Sequence, residues 1–116
     1  MIYSSAIPYI LGNYGEEKQL IKTAEEAAEL AQAALKRHKA ITGQTKHDNT
    51  REHLAEEIAD VLIMIDQIVY VEGFENDVLR IVDEKISRQL DRIKQTRKPK
   101  QSDDDSWLMS RFTKQD

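Results

Sequence analysis

Two pairs of carboxylates are the residues of this sequence best suited to chemistry. Glu26 and Glu29 stand three apart in TAEEAAELA (residues 23–31), and Glu57 and Asp60 stand three apart in LAEEIADVLIMI (residues 54–65). On a helix that spacing puts both members of a pair on one face. The second pair interrupts a run that is otherwise almost wholly apolar. A carboxylate drawn out of water there must be protonated, matched with Lys or Arg, or bound to a cation. Two such motifs on long helices joined by a short loop can face one another, and four hard oxygen donors gathered this way suit Mg²⁺ or Mn²⁺.

Other chemistries lack their residues. Helical di-iron sites pair Glu with Glu-x-x-His, but Gln32 stands three after Glu29 and Asp60 three after Glu57. His38, His47 and His53 show no ligand spacing among themselves, although His53 lies one turn before Glu57 on the same face. The chain has no cysteine, no Gly-x-x-x-x-Gly-Lys loop and no nucleophilic serine constellation, so phosphate chemistry here would depend on metals and basic side chains.

Long helices must position these residues. With only four glycines and two prolines, and 33% of residues charged, the composition favours an all-α fold. A short N-terminal element over residues 4–12 ends at Asn13-Tyr14-Gly15. The second helix runs from Glu16 to Lys39, with acids early and Lys36, Arg37 and Lys39 at the negative end of its dipole. Its apolar stripe is Leu20, Ala24, Ala27, Ala31, Ala34 and Leu35. Glu26 and Glu29 lie opposite that stripe, which taken alone makes them a solvated face. The polar loop over residues 42–49 leads to a third helix, from Asn49 or Thr50 to Glu72-Gly73. Leu54, Ile58, Val61, Leu62, Ile65 and Val69 form one side of it, Met64 and Val71 share the stripe of Glu57 and Asp60, and Ile63 and Tyr70 flank it. A helix apolar nearly all round reads as buried. The fourth helix covers Asn76 to Thr96 on a stripe of Val78, Val82, Ile86, Leu90 and Ile93. Residues 1–97 form one helical domain. From Lys98 to Asp116 the chain is aperiodic and reads as a disordered or loosely docked tail, or as a flap carrying Trp107 and Phe112.

A length of 116 residues fits about one domain of ~100–150 residues. The net charge of −4 and pI near 5.4 argue against nucleic acid or anionic membrane as a general partner. The N-terminal MIYSSAIPYILGNYG has no basic region before its apolar residues, so no signal peptide is expected, and the run around residues 58–71 is too short and polar to span a bilayer. A cytoplasmic location is the expectation.

Glu25-Glu26-x-x-Glu29, then 27 residues, then Glu57-x-x-Asp60 resembles the signature of the MazG-like all-α nucleoside triphosphate pyrophosphohydrolases. EEAAELAQA resembles the first motif of that superfamily and EEIADVLIMIDQ its second, while YGEEKQL and EKISRQLDRI resemble flanking segments of small phage and bacterial members. The resemblance covers residues ~14–95. It implies a four-helix core assembled as a homodimer or homotetramer, with Mg²⁺ (Mn²⁺ a possible substitute) bound by Glu26, Glu29, Glu57 and Asp60. It implies cleavage of a nucleoside triphosphate between its α and β phosphates. The superfamily often has Asn seven positions after the motif's Asp, where this chain has Gln67.

Within that mechanism Glu25 or Glu29 orients or deprotonates the attacking water. Lys22, one turn before Glu26, and Lys85 and Arg88 of the fourth helix, in a basic stripe with Arg92, grip the phosphates. The stripe can equally pair with Asp83, Glu84 and Asp91. Two other readings stay open: a related phosphoribosyl-ATP pyrophosphohydrolase, and a non-catalytic helical oligomerisation module whose acids are surface charge.

Overall fold

The chain turns on glycines whose backbones other residues rarely adopt. A computed structural model describes residues 4–45 and 49–97. Among them there are four helices and no strand: α1 (Ala6–Tyr14), α2 (Glu16–Ile41), α3 (Thr50–Glu72) and α4 (Glu75–Thr96). Gly15, at φ 90°, lets α2 begin one residue after α1 ends. Gly73 closes α3 in the left-handed region at φ 70°, and its N–H donates to the Val69 carbonyl at 3.0 Å. The tail with Trp107 and Phe112, and His47 of the loop, lie outside the described residues.

Helices α1–α3 belong to one compact unit ending at Asp77; a second begins at Val78. In the first unit α2 packs antiparallel along α3, and α1 touches both. The pairing runs from Gln19 beside Gln67 at one end to Arg37 beside Thr50 at the other. The face of α2 that turns inward is Glu16, Gln19, Thr23, Glu26, Leu30, Ala33, Arg37 and Ala40, each buried or half-buried. These positions alternate in steps of three and four, the spacing of a coiled-coil seam. Most of them are polar.

This inverts the apolar stripe expected for α2. Leu20, Ala24, Ala27, Ala31, Ala34 and Leu35 are all exposed. Rotating them inward would put Gln19 and Glu26 in water and break the Gln19–Gln67 amide bond, so seam register is decided by polar partners rather than by hydrophobicity. The buried apolar residues are few: Ile7 and Leu11 of α1, Ala33 of α2, and Val61, Met64 and Val69 of α3. Gln19, Glu26, Thr50, Glu57, Asp66 and Gln67 are buried with them. Nor is α3 buried all round, since Ile58, Leu62, Ile63, Tyr70 and Val71 remain exposed.

Within the second unit no residue of α4 is buried; of the stripe expected from its sequence, Val78, Leu90 and Ile93 are half-buried and Val82 and Ile86 are exposed. Arg80 donates to Glu84 one turn on at 3.0 Å. None of the described helices is long and apolar enough to cross a membrane.

Candidate metal centre

Because the α2 seam turns Glu26 toward α3, the two carboxylate motifs meet. One oxygen each of Glu26, Glu57 and Asp60 lies within 4.8 Å of the others. Glu26 and Glu57 are each only 8% exposed, while Asp60 sits at the solvent edge. Each buried acid has one oxygen near a base. The Lys22 ammonium is 3.2 Å from Glu26 Oε1 and 3.7 Å from Glu25 Oε2, and His53 Nε2 is 3.9 Å from Glu57 Oε1. The other oxygens, Glu26 Oε2 and Glu57 Oε2, are buried without a hydrogen-bond partner among the described residues.

That arrangement is a test of whether a cation fits. Two buried carboxylates aimed at each other repel, and a lysine on one oxygen of one of them leaves the repulsion largely standing. A divalent ion held by Glu26, Glu57 and Asp60 would offset the negative charge they gather, and carboxylate plus solvent is the donor set of a Mg²⁺ or Mn²⁺ site. The residues fit.

Glu29 lies outside this trio, exposed on α2, but it feels the same field. The charges of Glu26 and then Glu57 raise its pKa above the ordinary 4.5. The Glu26 carboxylate, by hydrogen bond and charge, raises that of Lys22, which holds the lysine cationic. At the far end of the pair Glu16 is raised by its hydrogen bond to Glu72, then by burial. For an acid whose folded pKa is raised, the folded state binds more protons than the unfolded one in the window just above 4.5, so stability falls as pH rises through it. Replacing Glu29 with Gln removes one such penalty. The metal-free Glu29→Gln protein should therefore melt at a higher temperature than the parent at neutral pH and lose that advantage in mild acid. Equal melting curves at both pH values would show that Glu29 does not feel the cluster.

Glu25 is exposed at the rim beside Lys22. Lys85 and Arg88 are exposed on α4, where Arg88 borders a shallow recess with Asp83, Glu84 and Ser87. Sequence reasoning missed the pair that fixes the seam above the acids. Gln19 Nε2 donates to Gln67 Oε1 at 2.7 Å, and Gln67 Nε2 donates to the Ile63 carbonyl at 3.2 Å, with Gln67 fully buried. Its signal was the three-four alternation through Gln19, Thr23 and Glu26, hidden because the positions are polar. No protein-family model, curated protein or solved structure matches the chain.

Proposed function

We propose that this protein is a Mg²⁺-dependent nucleoside triphosphate pyrophosphohydrolase of the MazG-like kind, releasing a nucleoside monophosphate and pyrophosphate. One observation carries the reading: two orphaned, buried carboxylate oxygens from facing Glu-x-x-Glu and Glu-x-x-Asp motifs, with Asp60 completing the set at the solvent edge. Glu26, Glu57 and Asp60 would hold the ion, and Glu29 would join them from its exposed side. Bound there, Mg²⁺ or Mn²⁺ would supply Lewis-acid chemistry, offsetting polyphosphate charge and polarising the scissile linkage. Glu25 and Glu29 border the cluster from solvent, where a carboxylate orients the attacking water and accepts its proton. Lys22 holds Glu26 in place and offers its remaining N–H bonds to a phosphate oxygen.

The exposed apolar faces of α2 and α3 support assembly as a homodimer or homotetramer. Leu20 and Leu35 on one helix and Ile58 and Leu62 on the other are large side chains to leave in water. The protein should sediment as a dimer or larger at micromolar concentration. A well-folded monomer under those conditions would contradict the assembly.

The same surfaces favour the second reading, a non-catalytic oligomerisation module. The two part on metal and substrate. A pyrophosphohydrolase should gain melting temperature with Mg²⁺ beyond any ionic-strength effect, and should release pyrophosphate from at least one member of a panel of ribo- and deoxynucleoside triphosphates and phosphoribosyl-ATP. A module should do neither. Silence across the panel with both Mg²⁺ and Mn²⁺ would end the enzymatic reading.

A further inference from the structure

The carboxylates lie between two cavities on the same side of the α2–α3 pair, and the two are chemically opposite. Toward the start of α2 is a cavity of about 490 Å³ whose walls include Tyr14, Ile21, Ile63 and Met64. The amides of Gln19 and Gln67 also line it, and Lys22 and Glu25 stand at its margin toward the acids. Toward the end of α2 is one of about 470 Å³, lined by Lys36, Lys39, Thr45, Asn49, Thr50 and His53. Both fall in the size range of small-molecule sites.

Helical geometry joins them. At ~100° per residue, Lys18, Lys22, Glu25, Glu29 and Lys36 fall within about 60° of arc on α2. On α3, His53, Asp60 and Gln67 recur every seven residues and form one strip. In an antiparallel pair these strips border the same groove. Along α2 the rise from Gln19 to Glu26 is about 10 Å and from Glu26 to Lys36 about 15 Å, at ~1.5 Å per residue. Helical side chains lean toward the N-terminus, which carries the lysine heads back toward Glu26. His53 ties the basic cavity to the cluster directly, at 3.9 Å from Glu57.

Charge sets the direction of a ligand in this groove. The first cavity is mainly apolar and aromatic; of the two lysines that line it, Lys18 and Lys22, Lys22 is already shared between Glu26 and Glu25, and Glu25 adds an anion to the wall. Among the described residues the wall of the basic cavity holds no carboxylate, and neither Lys36 nor Lys39 is in an ion pair. Its Thr45 hydroxyl is buried with no hydrogen-bond partner among them. Two ammonium groups, an imidazole and a buried hydroxyl are ligands for phosphate oxygens. A planar base suits Tyr14, with the paired amides beside it.

We infer that a nucleoside triphosphate lies lengthwise in this groove, its nucleoside in the Tyr14–Gln67 cavity and its β and γ phosphates in the Lys36–Lys39–His53 cavity. The α–β linkage then rests over Glu26, Glu57 and Asp60. The inference rests on the pyrophosphohydrolase reading for the identity of the ligand. It gives Lys36, Lys39 and His53 a binding role and makes the basic cavity the seat of the pyrophosphate product.

Calorimetric titration of the full chain, with Mg²⁺ present, separates the two halves. The probes are inorganic pyrophosphate and the four deoxynucleoside monophosphates. The Lys36→Ala/Lys39→Ala protein should bind pyrophosphate about tenfold or more weakly, through loss of two charge-assisted contacts, and bind monophosphates as the parent does. Tyr14→Ala should do the reverse, with circular dichroism confirming that both variants are folded. Pyrophosphate binding that is absent from the parent, or unchanged in the double variant, would overturn the inference, as would the two patterns exchanged. If the parent cleaves nucleotides while the double variant binds pyrophosphate normally, the inference falls and the enzymatic reading stands. If pyrophosphate binds through the two lysines but no nucleotide is cleaved, the basic cavity stands and the enzymatic reading falls.

Discussion

Glu57→Gln will leave the protein folded and lower its metal-dependent pyrophosphate release by at least about 100-fold, since even outer-shell partners of a metal cost up to that much. The amide keeps the shape of the side chain and removes the charge. Glu57 Oε2, like Glu26 Oε2, is buried without a hydrogen-bond partner among the described residues, so no hydrogen bond to that atom is lost on substitution. What disappears is one anion beside Glu26 and Asp60. Like charges held close disfavour their own ionisation, so the metal-free variant should melt no lower than the parent and can melt higher. Asp60→Asn should behave similarly, with a smaller effect on metal-free stability because Asp60 is exposed. Acids with a purely structural role would give the opposite result, a loss of stability in every metal condition. Melting curves with and without Mg²⁺, beside an assay of pyrophosphate release, distinguish the two.

Gln67→Leu will lower stability by about 1–3 kcal/mol, because it strands the buried Gln19 amide that donates to Gln67 Oε1 at 2.7 Å. For a domain of this size each kcal/mol is worth about 4–8 °C in Tm at ~60–100 residues and somewhat less above that. Gln19→Leu should cost a similar amount by stranding Gln67. The double variant removes both polar groups, so it should lose clearly less than the sum of the singles, since replacing both partners with apolar groups can be nearly neutral. Additive losses in chemical denaturation would mean that the amides do not act as a pair. The same register holds Glu26 toward α3, so the single variants should also weaken Mg²⁺ binding, whereas no such coupling is expected from Leu20→Ala on the exposed face.

The helices themselves were legible because their ends carry strong signals. Gly15 and Gly73 bound α2 and α3, and the observed ends lie within two residues of the expected ones. The meeting of Glu26 with Glu57 and Asp60 was also legible, from motif spacing on two helices joined by a short loop, although Glu29, expected with them, lies outside the trio. The orientation of α2 was not. Leu20, Ala24, Ala31 and Leu35 make the better apolar stripe, and a rule that turns apolar residues inward chooses them over Gln19, Thr23 and Glu26. That rule fails where buried polar groups have specific partners across the seam, as Gln19 has in Gln67. The basic cavity was illegible for another reason. Lys36 and Lys39 looked like charges suited to a helix terminus, and only the fold of residues 42–45 and the start of α3 brings Thr45, Asn49 and His53 beside them. Gln67 stood out only as a departure from the Asn of the resembling family. Its burial and its bond to Gln19 depend on a partner 48 positions away.

The proposed chemistry depends on Glu26, Glu57 and Asp60 sharing a divalent cation. Mn²⁺ binding followed by electron paramagnetic resonance tests that without requiring a substrate. Parent protein should bind Mn²⁺ saturably and release it to excess Mg²⁺, while Glu57→Gln and Asp60→Asn, confirmed as folded, should bind it far more weakly. A parent that binds no Mn²⁺, or a Glu57→Gln protein that binds it as well as the parent, would contradict the account.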